Sequence, residues 1–150
     1  MTTPDRESIA RGLVRIGEDA VAKSNDALLD EYYTDEYKLH SPAGDFDRDE
    51  IKAYFAALRE SFTDFTISRA QILVDGNFVT ARTVMSGRFD KEFAYTPIGA
   101  VGPNGQRVHW ELINIFRYTD EGRLVEEWVQ TDTYDFLRQL GAFVSENATG

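Results

Sequence analysis

The sequence predicts an α+β fold: a cone-shaped α+β barrel in which N-terminal helices pack on a strongly curved, mostly antiparallel sheet that encloses a pocket. Three observations carry this expectation. Apolar residues recur at helical spacing as far as Phe62, then switch to the two-residue alternation of strands. The strand-like stretches beyond Asp64 are long and separated by turn signals, as in an antiparallel meander. The 150 residues, 42% hydrophobic and 13% aromatic, suit one domain spanning 1–150, with apolar bulk for both a core and a pocket wall.

The elements follow in order. Thr3 and Pro4 are suited to an N-cap and first turn, and Ile9, Leu13, Ile16 and Ala20 continue a helical stripe. Ser24-Asn25 breaks the chain before a short helix bearing Leu28, Leu29, Tyr32 and Tyr33. Tyr37 to Ser41 reads as extended and stops at Pro42. Asp47 and Glu50 have capping-box spacing, and Ile51, Tyr54, Phe55, Leu58 and Phe62 form the stripe behind them. Strands are expected over Phe65 to Val74, Phe78 to Phe89, Lys91 to Tyr95, Val108 to Tyr118 and Leu124 to Asp132. Asp75-Gly76-Asn77 and Asp120-Glu121-Gly122 supply turns, and a loop rich in Gly and Pro runs from Thr96 to Gly105. Tyr134 to Leu140 reads as a closing helix, and residues 145–150 as a frayed tail whose sequon at Asn147 is accidental.

Composition narrows the function. The net charge of −10, with no cluster of Lys and Arg, argues against nucleic acid and anionic lipid as partners. The absence of cysteine excludes disulfides and thiolate metal sites, and two His without a clear third ligand give no metal site. No apolar run reaches the ~20 residues of a membrane helix, and no signal peptide is visible at the start. A cytoplasmic location is therefore expected.

The last strand places Glu126, Trp128, Gln130 and Asp132 on one face, because strand side chains alternate sides. A carboxylate beside an aromatic sits half out of water, where its pKa is tunable. Asp132 has a second reading as the cap of the following helix. His40 before Pro42 reads as a structural or a pocket residue. His109, sharing a face with Glu111, reads as an edge pair or as a second acid–base group. Arg82 either lies on a solvated face or points inward to stabilise an enolate or a ligand carboxylate. Trp128, Tyr33, Tyr37, Tyr54 and Phe55 serve a core and also suit a pocket wall. No phosphate loop or nucleophile elbow is present.

An ordered set of segments resembles the SnoaL-like polyketide cyclases, small enzymes of the nuclear-transport-factor-2-like fold, from about Leu29 to Gly141. It comprises His40-Ser41-Pro42, Leu58 to Asp64, Val79 to Arg82 with Gly87, Phe116-Arg117, Asp120 to Glu126, Trp128, Asp132 and Gln139-Leu140-Gly141. The resemblance implies intramolecular aldol condensation of a small apolar carbonyl compound, with no metal or cofactor and Asp132 as general base. It also implies a homodimer. Where many relatives carry Gly-Thr-His-x-Gly, this chain reads Gly87-Arg88-Phe89-Asp90-Lys91, which puts Phe89 near the expected pocket. The competing expectations are an isomerase-like enzyme, an epoxide-hydrolase-like enzyme, and a non-catalytic module for small-molecule binding or dimerisation.

Overall fold

The computed structural model describes residues 5–143. Helix α1 (Arg6–Arg15) is capped by Asp5, whose carboxylate accepts from the Ser8 amide at 2.8 Å. The expected cap at Thr3 and Pro4 and the tail with Asn147 lie outside the described residues. The α1 axis runs on into a π-helical stretch, Ile16–Val21. Asn25 caps the short α2 (Asp26–Tyr32) after Ser24, which takes a positive φ of 66°.

Strand β1 (Tyr33–Ser41) begins earlier than expected, because Tyr33 leaves the helix and is already extended. The hairpin partner β2 (Gly44–Asp47) leads into α3 (Arg48–Ser61). Both capping-box bonds are present: the Asp47 carboxylate accepts from the Glu50 amide at 2.9 Å, and Glu50 returns the contact at 3.1 Å. Phe62 opens β3 (Phe62–Asp75) rather than closing α3. Strands β4 (Phe78–Phe89), β5 (Arg107–Tyr118) and β6 (Leu124–Thr131) follow, and α4 (Thr133–Gln139) ends the fold. The strand expected over Lys91 to Tyr95 does not form. A single bridge, Phe93 to Val101, closes that loop, because the Gly- and Pro-rich segment cannot sustain a ladder.

The strands make one open sheet in the order β2-β1-β6-β5-β4-β3. Every pairing is antiparallel except β1 with β6, which is parallel. Curvature comes from β3. Its register against β4 shifts between Thr63 and Thr66 and again between Ala70 and Leu73. Asp64 and Gln71, inside these two bulges, take φ of 54° and 53°. Each bulge bends the strand and adds twist, wrapping the sheet around the helices. Gly87 lets β3 and β4 close up, since a Cβ there would stand 2.7 Å from the Phe62 Cβ. Strict alternation sends Val108, Trp110, Leu112, Asn114, Phe116 and Tyr118 of β5 inward.

Candidate functional site

Between the concave sheet face and the helices lies a narrow cavity with a mostly apolar lining. Leu13, Ile16 and Val21 close one side, and Tyr33, Leu39, Tyr54 and Phe55 another. Met85, Leu112, Phe116 and Val129 form the sheet wall. The polar groups in this apolar lining include Arg69, Asn114 and Glu127. An outer recess continues toward Tyr95, Pro97, Trp110, Thr131, Thr133 and Phe136, and shares Tyr54, Leu112 and Val129 with the inner cavity.

Glu127 is the central titratable group. It is only 6% exposed, although it stands on a cavity wall. Tyr37 Oη donates to its Oε1 at 2.8 Å, and Asn114 Nδ2 donates to its Oε2 at 3.0 Å. Thr83 Oγ1 donates to Asn114 Oδ1 at 2.9 Å, which fixes the amide with its nitrogen toward the carboxylate. Burial drives the Glu127 pKa above the ordinary carboxylate value. The Tyr37 bond, the Arg69 charge and the Asn114 bond oppose that rise without cancelling it. Burial also raises the Tyr37 phenol well above its ordinary value, with the Glu127 charge adding to the effect. Tyr37 therefore remains a donor. Burial alone pushes Tyr54 up to about 12. Each Glu127 oxygen keeps a second lone pair free for a ligand proton.

The residues expected from sequence divide into two groups. Tyr33, Tyr54 and Phe55 line the cavity, and Tyr37 stands behind it, bonded to Glu127. The others are not among its walls. Asp132 is exposed, and its Oδ1 accepts from the Asp135 amide at 2.9 Å as the cap of α4. Its neighbours Thr131 and Thr133 line the outer recess. His40 and Trp128 stack on the convex face with ring centres 5.6 Å apart. His109 is exposed, and its backbone is bonded to the Gln139 side chain. Arg82 and Glu111 form an exposed ion pair at 3.7 Å. Phe89 is fully buried, stacked on Phe62 at 5.2 Å. The physical reason is strand parity. Val129 faces inward from β6, so Glu127 shares its side and Trp128 cannot. Two adjacent carboxylates, Glu126-Glu127, require one of them to face inward, and Asn114 is the polar residue at an inward position of β5. Those two signals were present in the sequence.

On the convex face, His40 bonds Glu126 at 2.8 Å through Nε2 and Asp45 at 3.0 Å through Nδ1. Arg117 adds a bond to Glu126 at 2.9 Å. The bonds from Glu126 and then Asp45 raise the His40 pKa above 6.5. The His40 and Arg117 bonds lower that of Glu126 below 4.5. The His40 contribution to stability is thus complete below pH 6.5 and is lost as pH rises through its raised folded value. The Glu126 contribution is present above pH 4.5 and is lost as pH falls below it. The network is strongest between these limits. His40→Gln is expected to flatten the decline in Tm above pH 6.5; an unchanged Tm–pH curve in that variant would refute the linkage.

Among the described residues, no group of three His, Cys, Asp or Glu is placed to hold a metal ion, and no helix is long and apolar enough to cross a membrane. No curated protein sequence matches the chain. Solved structures do. TsrD from Streptomyces laurentii is 23% identical over 93% of this chain and 99% of its own, with a TM-score of 0.76. IdmH from Streptomyces antibioticus is 25% identical over 89% of this chain and 98% of its own, with a TM-score of 0.74. A SnoaL-like protein from Jannaschia sp. CCS1 is 20% identical over 93% and 98%, with a TM-score of 0.77. These likenesses show the fold, and the family model for SnoaL-like polyketide cyclases matches residues 12–140. With nearly the whole described fold covered by that match, the chain belongs to the SnoaL-like polyketide cyclase family.

Proposed function

We propose that the chain is a cofactor-independent cyclase that closes a ring in a polyketide-like carbonyl substrate by intramolecular aldol condensation. The observation that carries this reading is a carboxylate, Glu127, buried in the wall of an apolar cavity and held by two donors. In such a site a carboxylate is a stronger base than in water and can take a proton from a carbon flanked by carbonyls. The enolate carbon then attacks a second carbonyl of the same molecule. One C–C bond forms, and the proton returns to the alkoxide oxygen. The narrow walls hold both reacting carbons in one conformation, which supplies much of the acceleration. Asp132, between the recess residues Thr131 and Thr133, is the rival base. Its bond to the α4 backbone and its exposure favour Glu127.

The test uses 2-tetralone, a flat bicyclic ketone. The protein is expected to accelerate deuterium exchange at its C1 position in heavy water, followed by NMR. Binding of 2-tetralone without faster exchange would replace the enzyme by a ligand-binding module.

We also propose a homodimer through the convex sheet face, where Ile113 and Ile115 are 49% and 41% exposed and Trp128 lies beside Ile115 in register. Light scattering is expected to give twice the chain mass for the wild type and one chain mass for Ile113→Glu. A wild-type monomer at all concentrations would exclude it.

A further inference from the structure

Arg69 is a second charged group in the cavity, and the aldol reading gives it no role. It enters from β3 between the sheet and the π-helical stretch. Its Nη1 donates to the Leu13 carbonyl at 3.1 Å, and its Cζ stands 5.7 Å from the centre of the Phe116 ring. Gly17 leaves the space the guanidinium passes through, because any side chain there would meet Nη1. Its Nε is buried and has no hydrogen-bond partner. Among the described residues, no carboxylate lies within the 4.0 Å of an ion pair.

A guanidinium presents five N–H donors in a rigid planar fork. The Leu13 carbonyl takes one of them. Arg69 is half-buried, and a buried N–H of a cation left unmatched is destabilising unless an acceptor completes it. Glu127 acts on Arg69 through space, as its own shift shows, but its oxygens bond Tyr37 and Asn114 and no ion pair joins it to the guanidinium. The N–H donors of the fork that Leu13 does not take suit the coplanar oxygens of a carboxylate.

We propose that Arg69 anchors a carboxylate of the cavity's ligand, so that the flat apolar carbonyl substrate also carries an acid group. This rests on the cavity being the ligand site of the proposed function. The ring system lies between Tyr33, Tyr54 and Phe55, and the carboxylate reaches the Arg69 fork. The Phe116 ring beneath the guanidinium and the Leu13 carbonyl fix the direction of the fork before the ligand arrives. The rest of the chain is strongly acidic, so long-range steering opposes an anionic ligand and selection rests on this local pair.

The test compares 2-naphthoate with 2-naphthamide, which share a ring system and differ in charge. Calorimetry on the wild type is expected to show naphthoate bound at least tenfold more tightly. Arg69→Met is expected to abolish that preference and Arg69→Lys to keep part of it. Because Arg69→Met also removes the bond to α1, a second measurement uses the wild type alone. In protein labelled with nitrogen-15 at arginine, the Arg69 Nε–H signal is expected to move with naphthoate and not with naphthamide. Equal affinities for the two probes, a preference that survives Arg69→Met, or an unmoved Nε–H signal would each overturn the anchor. Equal affinities alongside active 2-tetralone exchange would remove the anchor and leave the proposed enzyme standing. A clear naphthoate preference without exchange would leave the anchor and remove the enzyme. Failure to bind either probe would overturn both.

Discussion

Glu127→Gln is expected to lower the rate of proton transfer by roughly 10²–10⁴-fold, the usual contribution of a positioned base. Gln keeps the volume and leaves an oxygen for Tyr37 or Asn114, so the loss reports chemistry rather than collapse. The same substitution is expected to raise stability at neutral pH. Burial holds the folded pKa of Glu127 above its ordinary 4.5, so the folded state binds the proton more tightly than the unfolded state. Stability from this group therefore falls as pH rises from 4.5 through the folded value, and stays lower above it. Gln has no such titration, so its advantage in Tm is expected to be larger at pH 8 than at pH 4. This is the familiar opposition of activity and stability at a site that holds a charge in apolar surroundings. Asp132→Asn is the paired control. Its exchange rate is expected to stay within a few-fold of wild type, because its carboxylate bonds the α4 backbone. Full activity in Glu127→Gln with loss in Asp132→Asn would transfer the base to Asp132.

Phe62→Ala is expected to be the most damaging core change, at about 3–5 kcal/mol, which is roughly 6–20 °C in Tm for a domain of this size. Phe62 is fully buried where α3 turns into β3. Its ring lies 5.2 Å from Phe89, 5.5 Å from Phe93, 5.2 Å from Trp110 and 6.3 Å from Phe136. These neighbours come from β4, the loop after it, β5 and α4, so one ring joins four segments. They cannot all collapse into the space a truncation leaves, and the cavity term is therefore large. A measured loss below about 1 kcal/mol in chemical denaturation would show that the cluster repacks freely.

Much of the fold was legible in the chain. The helical stripe from Ile51 to Leu58 and the Asp47–Glu50 box are local patterns, decided within one or two turns of backbone, and both appear as expected. The long strands β4 and β5 were legible because every second residue is apolar. Phe62 and Tyr33 were harder. Each continues a helical stripe by spacing, yet each begins a strand, because pairing to a neighbouring strand outweighs a weak local preference. Lys91 to Tyr95 fell on the other side of that balance, with apolar residues but no ladder partner beyond one bridge.

The site was less legible. Sequence determined the resources: a cone with an aromatic lining that includes Tyr33, Tyr54 and Phe55, carboxylates near the end of the last strand, and an acidic surface elsewhere. Tertiary structure decided which of those carboxylates enters the cavity. That choice depends on the parity of β6 against β5, where Phe116 pairs with Glu127 and Ile115 with Trp128, and one residue of register exchanges the two faces. It also decided that Tyr37, Thr83 and Asn114, separated by 31 or more residues in pairs such as Thr83–Asn114, converge on one carboxylate, and that Arg69 faces the same space from β3. Local pattern can announce a strand and its apolar face. Which polar residues share a buried wall is fixed only when distant strands pair, because burial and electrostatic contact are properties of the assembled sheet.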